Sequence, residues 1–387
     1  MSTLENDGFL TRAPARAPGF RQLQRRRLAF AGWLISLAVS GCSAEREYLR
    51  LTGPTMGTRY QVTARCDTPV AVLKAAVTDE LLAVNAAMST YDPASELSRF
   101  NSSPPGDWFP VSAELAEVVA AAARVSEESG GAFDVTVGPL VNLWGFGPKS
   151  AAPQPVPGAD GADGAEGTET PEGARGSAAV VPPGPDAVAA ARRQVGYRFL
   201  SVRPDPPALR KDRSLYVDLS AIAKGHGVDR LTGLLDRSGC TDYLVDVGGE
   251  VRVLGSNPGG TAWRIGVETP EAGQWGGVQK VLVLHDRAVA TSGDYRNFVE
   301  FDQHRFSHTI DPRTGAPVVH GLASVTVIHA SAMMADAYAT ALNVLGPVEA
   351  LAFAEARALA VYLLIHTQGG FEARYTQPMY EYLVDAQ

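Results

Sequence analysis

Positive charge is scarce in this sequence: 34 Lys and Arg face 42 Asp and Glu, for a net charge of −8. Six arginines (Arg12, Arg16, Arg21, Arg25, Arg26, Arg27) fall before residue 42 against only Glu5 and Asp7, so a chain starting at residue 42 carries −12. That balance excludes a nucleic-acid surface, which needs a basic patch, and favours solubility outside the membrane. Long apolar runs are also missing. The stretch LAFAGWLISLAVS, directly after Arg25–Arg27, is too short to span a bilayer as a stable helix and reads as a secretory signal. Cysteine is nearly absent, with three in the chain. Beyond the N-terminal segment only Cys66 and Cys240 remain, and they either pair, as an exported protein permits, or stand as two buried thiols.

The apolar run ends in VSGC, small residues followed by Cys42, which resembles a bacterial lipobox. Cleavage there predicts a lipoprotein signal over 1–41, a lipid-modified Cys42 and a tether over 42–50. The expected location is the cell envelope, anchored to the inner membrane on its periplasmic face. RRRLAF also carries a twin-arginine flavour, and the export route stays open between the two systems.

What is present suffices for a sizeable core: 387 residues, 45% hydrophobic. YQVTARC alternates like a strand. Leu73, Ala76, Val77, Leu81, Val84 and Met88 recur at helical spacing, predicting a helix over 71–91. A second helix should follow Ser112 as N-cap and stop at Gly130 and Gly131. Residues 150–185 are rich in Pro, Gly, Ala and acids, cannot bury enough apolar surface to offset ordering, and read as a disordered insertion in one domain over 51–387. Beyond it, LYVDL reads as a strand, Val228, Leu231, Leu234 and Leu235 as one helical face closed by Gly239, and YLVDVGGEVRVLG as a hairpin turning at Gly248 and Gly249. WRIGVE, VLVLHDRAVATSG, HRFSHTID and ASVTVIHA supply further strands, and Met333 to Leu345 a late helix. Strands adjoin strands more often than helices, which is an α+β order.

Within VDLSAIAKGHGVDRL (217–231), a lysine and two glycines sit at a helix start, where free backbone N–H groups and a cation suit a phosphate. The stretch has no catalytic triad and no Cys/His metal spacing, and it does not match the P-loop pattern; alone it equally fits a surface lysine beside a glycine-rich helix start. It has company, however, in TMGTRYQV, MSTYDPASELSRFN, GGAFDVTVGPLVNLWGFGP, LVDVGGEV, TSGDYRNF, SHTIDPRTGAPV and ADAYATALNVLG. In that order the series resembles the ApbE family, the FAD:protein FMN transferases, from about residue 51 to the C-terminal region apart from the insertion. The resemblance implies an α+β, T-fold-like architecture with antiparallel sheets and flanking helices, FAD held between its lobes, and transfer of FMN to a Thr or Ser hydroxyl with release of AMP. It further implies FAD contacts at Met56, Tyr91, Ala132, Phe133, Asp134, Asp218, Lys224 and Ile310. Magnesium would be held by Asp336, Thr340 and the backbone carbonyl of Ala221.

The chemistry of those residue types agrees with the implied roles. Asp336 and Thr340 are four apart in an expected helix and face one side, and hard oxygens of this kind suit Mg²⁺ with phosphate and water completing its shell. Without the family, a helix-start charge and a back-bonded hydroxyl explain the pair as well. Lys224 would brace the FAD pyrophosphate. His308, before the DPRTG turn, is the first candidate base for the acceptor hydroxyl and Asp336 the second; a backbone-bonded strand-end histidine is the plain alternative. Tyr91 and Phe133 are either ring-stacking or core aromatics, and Asp134 and Asp218 either ligand acceptors or turn caps. Two other readings use the same motifs: an FAD pyrophosphatase giving FMN and AMP, and a flavin-binding lipoprotein without turnover. The partners implied are subunits of membrane redox complexes with covalent FMN, of the NADH:quinone and Rnf types, whose acceptor sites resemble a Ser/Thr-Gly-Ala-Thr run.

Overall fold

In a computed structural model of the chain, the described residues are 47–146, 182–269, 277–293, 298–301 and 304–383. The expected signal segment, Cys42, residues 150–181 of the expected insertion and Asp294 to Asn297 of TSGDYRNF lie outside them.

Eight strands form one antiparallel sheet whose spatial order is its chain order. They are β1 (Leu49–Thr55), β2 (Thr58–Arg65), β3 (Asp242–Val247), β4 (Glu250–Leu254), β5 (Arg287–Gly293), β6 (Leu322–His329), β7 (Ala360–Thr367) and β8 (Gly370–Tyr375). The sheet thus starts at Leu49, inside the expected tether, because Leu49 and Leu51 alternate onto the apolar face beside Tyr60 and Val62. Met56 and Gly57 turn β1 into β2 with φ of 47° and 70°, a two-residue connection whose left-handed backbone matches the strand twist. Gly248 and Gly249 turn β3 into β4 as expected, with φ of 63° and 102°.

Both faces of the sheet are covered. On one lie α1 (Val70–Met88), α6 (Ala223–Arg237) and α7 (Ala332–Ala356), with α2 (Glu96–Ser102) and α3 (Ala113–Glu128) stacked against them. On the other lie the hairpin Trp263–Glu268 with Val278–Leu284 and the turn Gln377–Tyr382, through Trp263, Val267, Leu282 and Met379. Accordingly β6 is buried almost throughout, Val325 and Val327 toward the helices and Ile328 toward the hairpin. By length and composition α7 would cross a membrane, but here it packs in the core.

Ser112 caps α3 by accepting from the Leu115 N–H, and Gly130 and Gly131, with positive φ, follow the helix end. Two shorter helices, α4 (Gly138–Leu143) and α5 (Pro185–Arg192), flank residues 147–181. Pro185, the last residue of the expected insertion, is the first of α5, a position that suits proline.

One expectation is corrected. LYVDL is not a strand: Leu215, Val217 and Leu219 alternate inward, yet the Val217 backbone pairs with the Asn101 side chain, Nδ2 to Val217 O and Val217 N to Oδ1, both at 2.8 Å. The late helix does break after Leu345, where Gly346, at φ 77° with Pro347 after it, leaves the regular turn; a second helical stretch then continues α7 to Ala356. The open cysteine question closes in favour of pairing, because Cys66 at the end of β2 and Cys240 before β3 form a disulfide.

Candidate functional site

The N-termini of α6 and α7 meet at Gly225. A Cβ there would stand 2.3 Å from the Ala332 carbonyl oxygen and 2.8 Å from Met333 Cα, so only glycine allows this approach. Each helix caps the other. The first turn of α6 has no side-chain cap of its own, and Asp336 of α7 accepts from the Gly225 N–H at 3.0 Å. In return, Asp229 of α6 accepts from the Ser331 hydroxyl and the Ala332 and Met333 N–H groups at 2.6, 2.8 and 3.0 Å. A carboxylate against each positive helix end holds the two starts together.

Lys224 lies at this junction. Its Nζ is 2.8 Å from Glu250 Oε1 and 3.7 Å from Asp336 Oδ1. Both acids are almost fully buried, and Glu250 Oε2 has no hydrogen-bond partner. Burial opposes the charge on Lys224, but the carboxylates of Asp336 and Glu250 outweigh it and hold the ammonium firmly protonated. Burial, together with the Asp336 charge, raises Glu250 while Lys224 pulls it back, and burial raises Asp336 too. Two buried acids share one ammonium, so a further positive charge beside them would relieve the cost of ionising both.

Along α7, one face continues from Asp336 through half-buried Thr340 to Asn343. Asn343 is fully buried and donates to Ser292 Oγ on β5 and to Thr309 Oγ1, at 3.3 and 3.1 Å, while its Oδ1 has no partner. It therefore pins the residues on either side of Thr309, His308 and Ile310, to this helix. The His308 ring meets Phe146 edge-on, with centroids 6.4 Å apart. Ile310 is buried among Leu140, Trp144 and Val195. The DPRTG turn follows, closed by Arg313 on the Asp311 carboxylate and held from outside by Trp144 Nε1 on Gly315 O at 2.9 Å and Arg192 on Arg313 O at 2.6 Å.

The remaining expected residues divide by environment. Met56 extends over Gly227 of α6, its Cε 2.8 Å from where a Cβ would be. Ala132 and Phe133 are 1% and 2% exposed, so the Phe133 ring packs in the core. Tyr91 is 76% exposed and is free to stack. Asp134 is spent within its loop, accepting from Thr136 N and Oγ1 and from Tyr197 N, although burial still raises its pKa. Asp218 accepts from Ser220 N and Oγ, and its own N–H donates to Val135 O at 2.7 Å, joining the 132–134 loop to the segment leading into α6. Ala221, half-buried, lies in the turn just before α6.

Among the described residues, no three His, Cys, Asp or Glu converge as a metal cage. Magnesium does not need one, because it takes one or two carboxylates and completes its shell with water and substrate phosphate. Asp336, the Thr340 hydroxyl and the Ala221 carbonyl are hard oxygens of the right kind, and a divalent cation there would favour the ionised form of the buried Asp336. Sequence reasoning missed Glu250, Asn343 and Asp229. The first two left faint signals: an acid opening a strand after Gly-Gly, and one amide seven residues after Asp336 in an apolar run.

Comparison with known proteins bears on the same residues. Residues 56–363 match the model of the ApbE family. An FAD:protein FMN transferase of Vibrio cholerae serotype O1 is 42% identical over 88% of this chain and 95% of the relative. One of Haemophilus influenzae is 38% identical over 87% and 92%. Among solved structures, the flavin transferase ApbE from Vibrio cholerae superposes with a TM-score of 0.74 at 39% identity, covering 87% of this chain and 99% of that one. The Pseudomonas stutzeri flavinyl transferase ApbE in its apo form gives 0.74 at 35%, covering 88% and 98%.

Proposed function

The chain belongs to the ApbE family, and from that premise we propose that it transfers FMN from FAD to a Thr or Ser hydroxyl of a partner protein, with Mg²⁺ and with release of AMP. Membership makes it a transferase with FAD as substrate and flavoproteins as targets. The finer reading is carried by the α6–α7 junction, where a helix N-terminus, the Lys224 ammonium and the Asp336 carboxylate meet within 4 Å. Such a junction grips a pyrophosphate from one side and presents a cation ligand from the other.

In the reaction the acceptor hydroxyl oxygen bonds to the FMN phosphorus, the bridging P–O bond breaks, and AMP departs with its electron pair. Catalysis of this kind rests on alignment and charge. Lys224 holds the phosphates at the positive N-terminal end of α6, while the exposed Tyr91 covers a ring. His308, steadied through Thr309 and Asn343, takes the hydroxyl proton. Asp336, already bonded to Gly225, would hold the metal with Thr340 and the Ala221 carbonyl. Magnesium bound there would neutralise the pyrophosphate and the charge growing on AMP. The lipobox supports anchoring through Cys42 at the periplasmic face of the inner membrane, beside acceptors in membrane redox complexes of the NADH:quinone and Rnf types.

The test mixes the purified protein with FAD, Mg²⁺ and an acceptor domain carrying a Ser/Thr-Gly-Ala-Thr run. Flavin fluorescence on the acceptor after denaturing electrophoresis, abolished by EDTA, is the expected result. AMP release with an unlabelled acceptor would instead mean hydrolysis of FAD.

A further inference from the structure

Lys224 faces two carboxylates but is shared unequally, at 2.8 Å from Glu250 and 3.7 Å from Asp336. Only the first distance is a hydrogen bond. A lysine ammonium on a flexible stem would settle on Asp336 if nothing drew it away, since a buried carboxylate binds a buried cation strongly. Glu250 supplies the pull. It is the first residue of β4, fixed by the Gly248–Gly249 turn, and the Lys224 stem runs past Gly248 with Cδ 3.3 Å from where a Cβ would be. The Glu250 side chain is 5% exposed, and its second oxygen has no partner. A buried acid with one oxygen unsatisfied is costly to keep for stability alone.

We infer that Glu250 is a positioning residue: it holds the Lys224 ammonium off Asp336, so that Asp336 Oδ1 stays open to a divalent cation while Oδ2 caps α6. This inference rests on the reading of Asp336 as a metal ligand. In this role Glu250 acts through Lys224, the group it contacts. Without it, the ammonium closes the gap to Asp336 and competes with the cation for the same oxygen.

The experiment titrates Mg²⁺ alone, without flavin, against the purified full-length protein and follows heat by calorimetry and the shift in melting temperature. Glu250→Gln keeps the volume and one acceptor but removes the charge; Glu250→Asp keeps the charge but shortens the reach. Both should weaken Mg²⁺ binding at least tenfold, and the melting temperature without metal reports whether each variant is folded. The decisive arm repeats Glu250→Gln in a Lys224→Met background, where nothing is left to hold off Asp336 and the effect should vanish. Equal weakening in both backgrounds would mean that Glu250 attracts the cation by its own charge and would overturn the inference. So would unchanged Mg²⁺ binding in both single variants. If the unaltered protein itself binds no Mg²⁺, the metal reading of Asp336 fails first, and this inference with it.

Discussion

Replacing Gly225 by alanine tests whether the α6–α7 junction is built on close backbone contact. The added methyl would sit 2.3 Å from the Ala332 carbonyl oxygen, and reaching ordinary contact requires the helices to separate by about 1 Å. Forced repacking of this size costs about 1–3 kcal/mol, against which the better helix propensity of alanine returns up to about 1 kcal/mol. The net loss of about 1–2 kcal/mol should lower the melting temperature of a domain this large by roughly 1–3 °C. The same displacement stretches the 3.0 Å bond from Gly225 N to Asp336 beyond hydrogen-bonding range. Misplacement by about 1 Å typically costs on the order of 10²-fold in rate. Gly233 is the control on the same helix: its Cβ would meet only the tip of Arg237, at 3.3 Å, so Gly233→Ala should be neutral or slightly stabilising. Differential scanning calorimetry and AMP release from FAD with acceptor read both effects. Gly225→Ala with the melting temperature and turnover of the unaltered protein would refute the packing argument.

If Asp336 holds Mg²⁺ as proposed, Asp336→Ala should reduce FMN transfer by at least about 10²-fold and abolish any rise in melting temperature on adding Mg²⁺, and it also removes the α6 cap; full activity would remove Asp336 from the site. His308→Gln should lower kcat by about 10²–10⁴-fold with FAD affinity unchanged, as loss of a proton acceptor does; a change confined to KM would make it a binding group instead. Cys66→Ser opens a loop spanning a sequence separation of 174, for which chain entropy gives up to about 5 kcal/mol. Its denaturation midpoint should fall markedly under non-reducing conditions, and the reductant sensitivity of the unaltered protein should disappear. Asn343→Ala should cost about 1–3 kcal/mol through the stranded hydroxyls of Ser292 and Thr309, and should slow turnover more than it weakens FAD binding; the reverse ranking would detach Asn343 from the placement of His308.

Much of this was legible in the sequence because local rules and tertiary structure agree. Ser112 caps α3, Gly248–Gly249 turns a hairpin, and the Leu73–Val77–Leu81–Val84 stripe faces the core, each as its pattern predicts. LYVDL misled for a physical reason: its side chains alternate as in a strand, but the backbone of its central Val217 is satisfied by one asparagine 116 residues earlier in the chain and not by a neighbouring strand. Phe133 and Tyr91 look alike in sequence and differ only in burial. Lys224, Asp336 and Thr340 could be singled out because several motifs agreed, whereas the unequal sharing of Lys224 by Glu250 and Asp336 is a matter of ångströms that no pattern encodes. Asp229 was hidden for a similar reason, since an acid on a solvated helix face and an acid capping the next helix have the same spelling.

Because the strands lie in chain order, everything between Cys66 and Cys240 is an excursion between two neighbouring strands, tied at its root by a covalent bond. That excursion contains α1 to α6 and the loops bearing Tyr91, Ala132, Asp134 and Asp218. The closing entropy of such a loop grows only with the logarithm of its length. The 36 residues from 150 to 185 therefore add roughly 0.2 kcal/mol to the cost of bringing β2 beside β3. The architecture is correspondingly tolerant of added length within this one excursion. A protease cut there would leave two pieces still joined, running as one band until the disulfide is reduced.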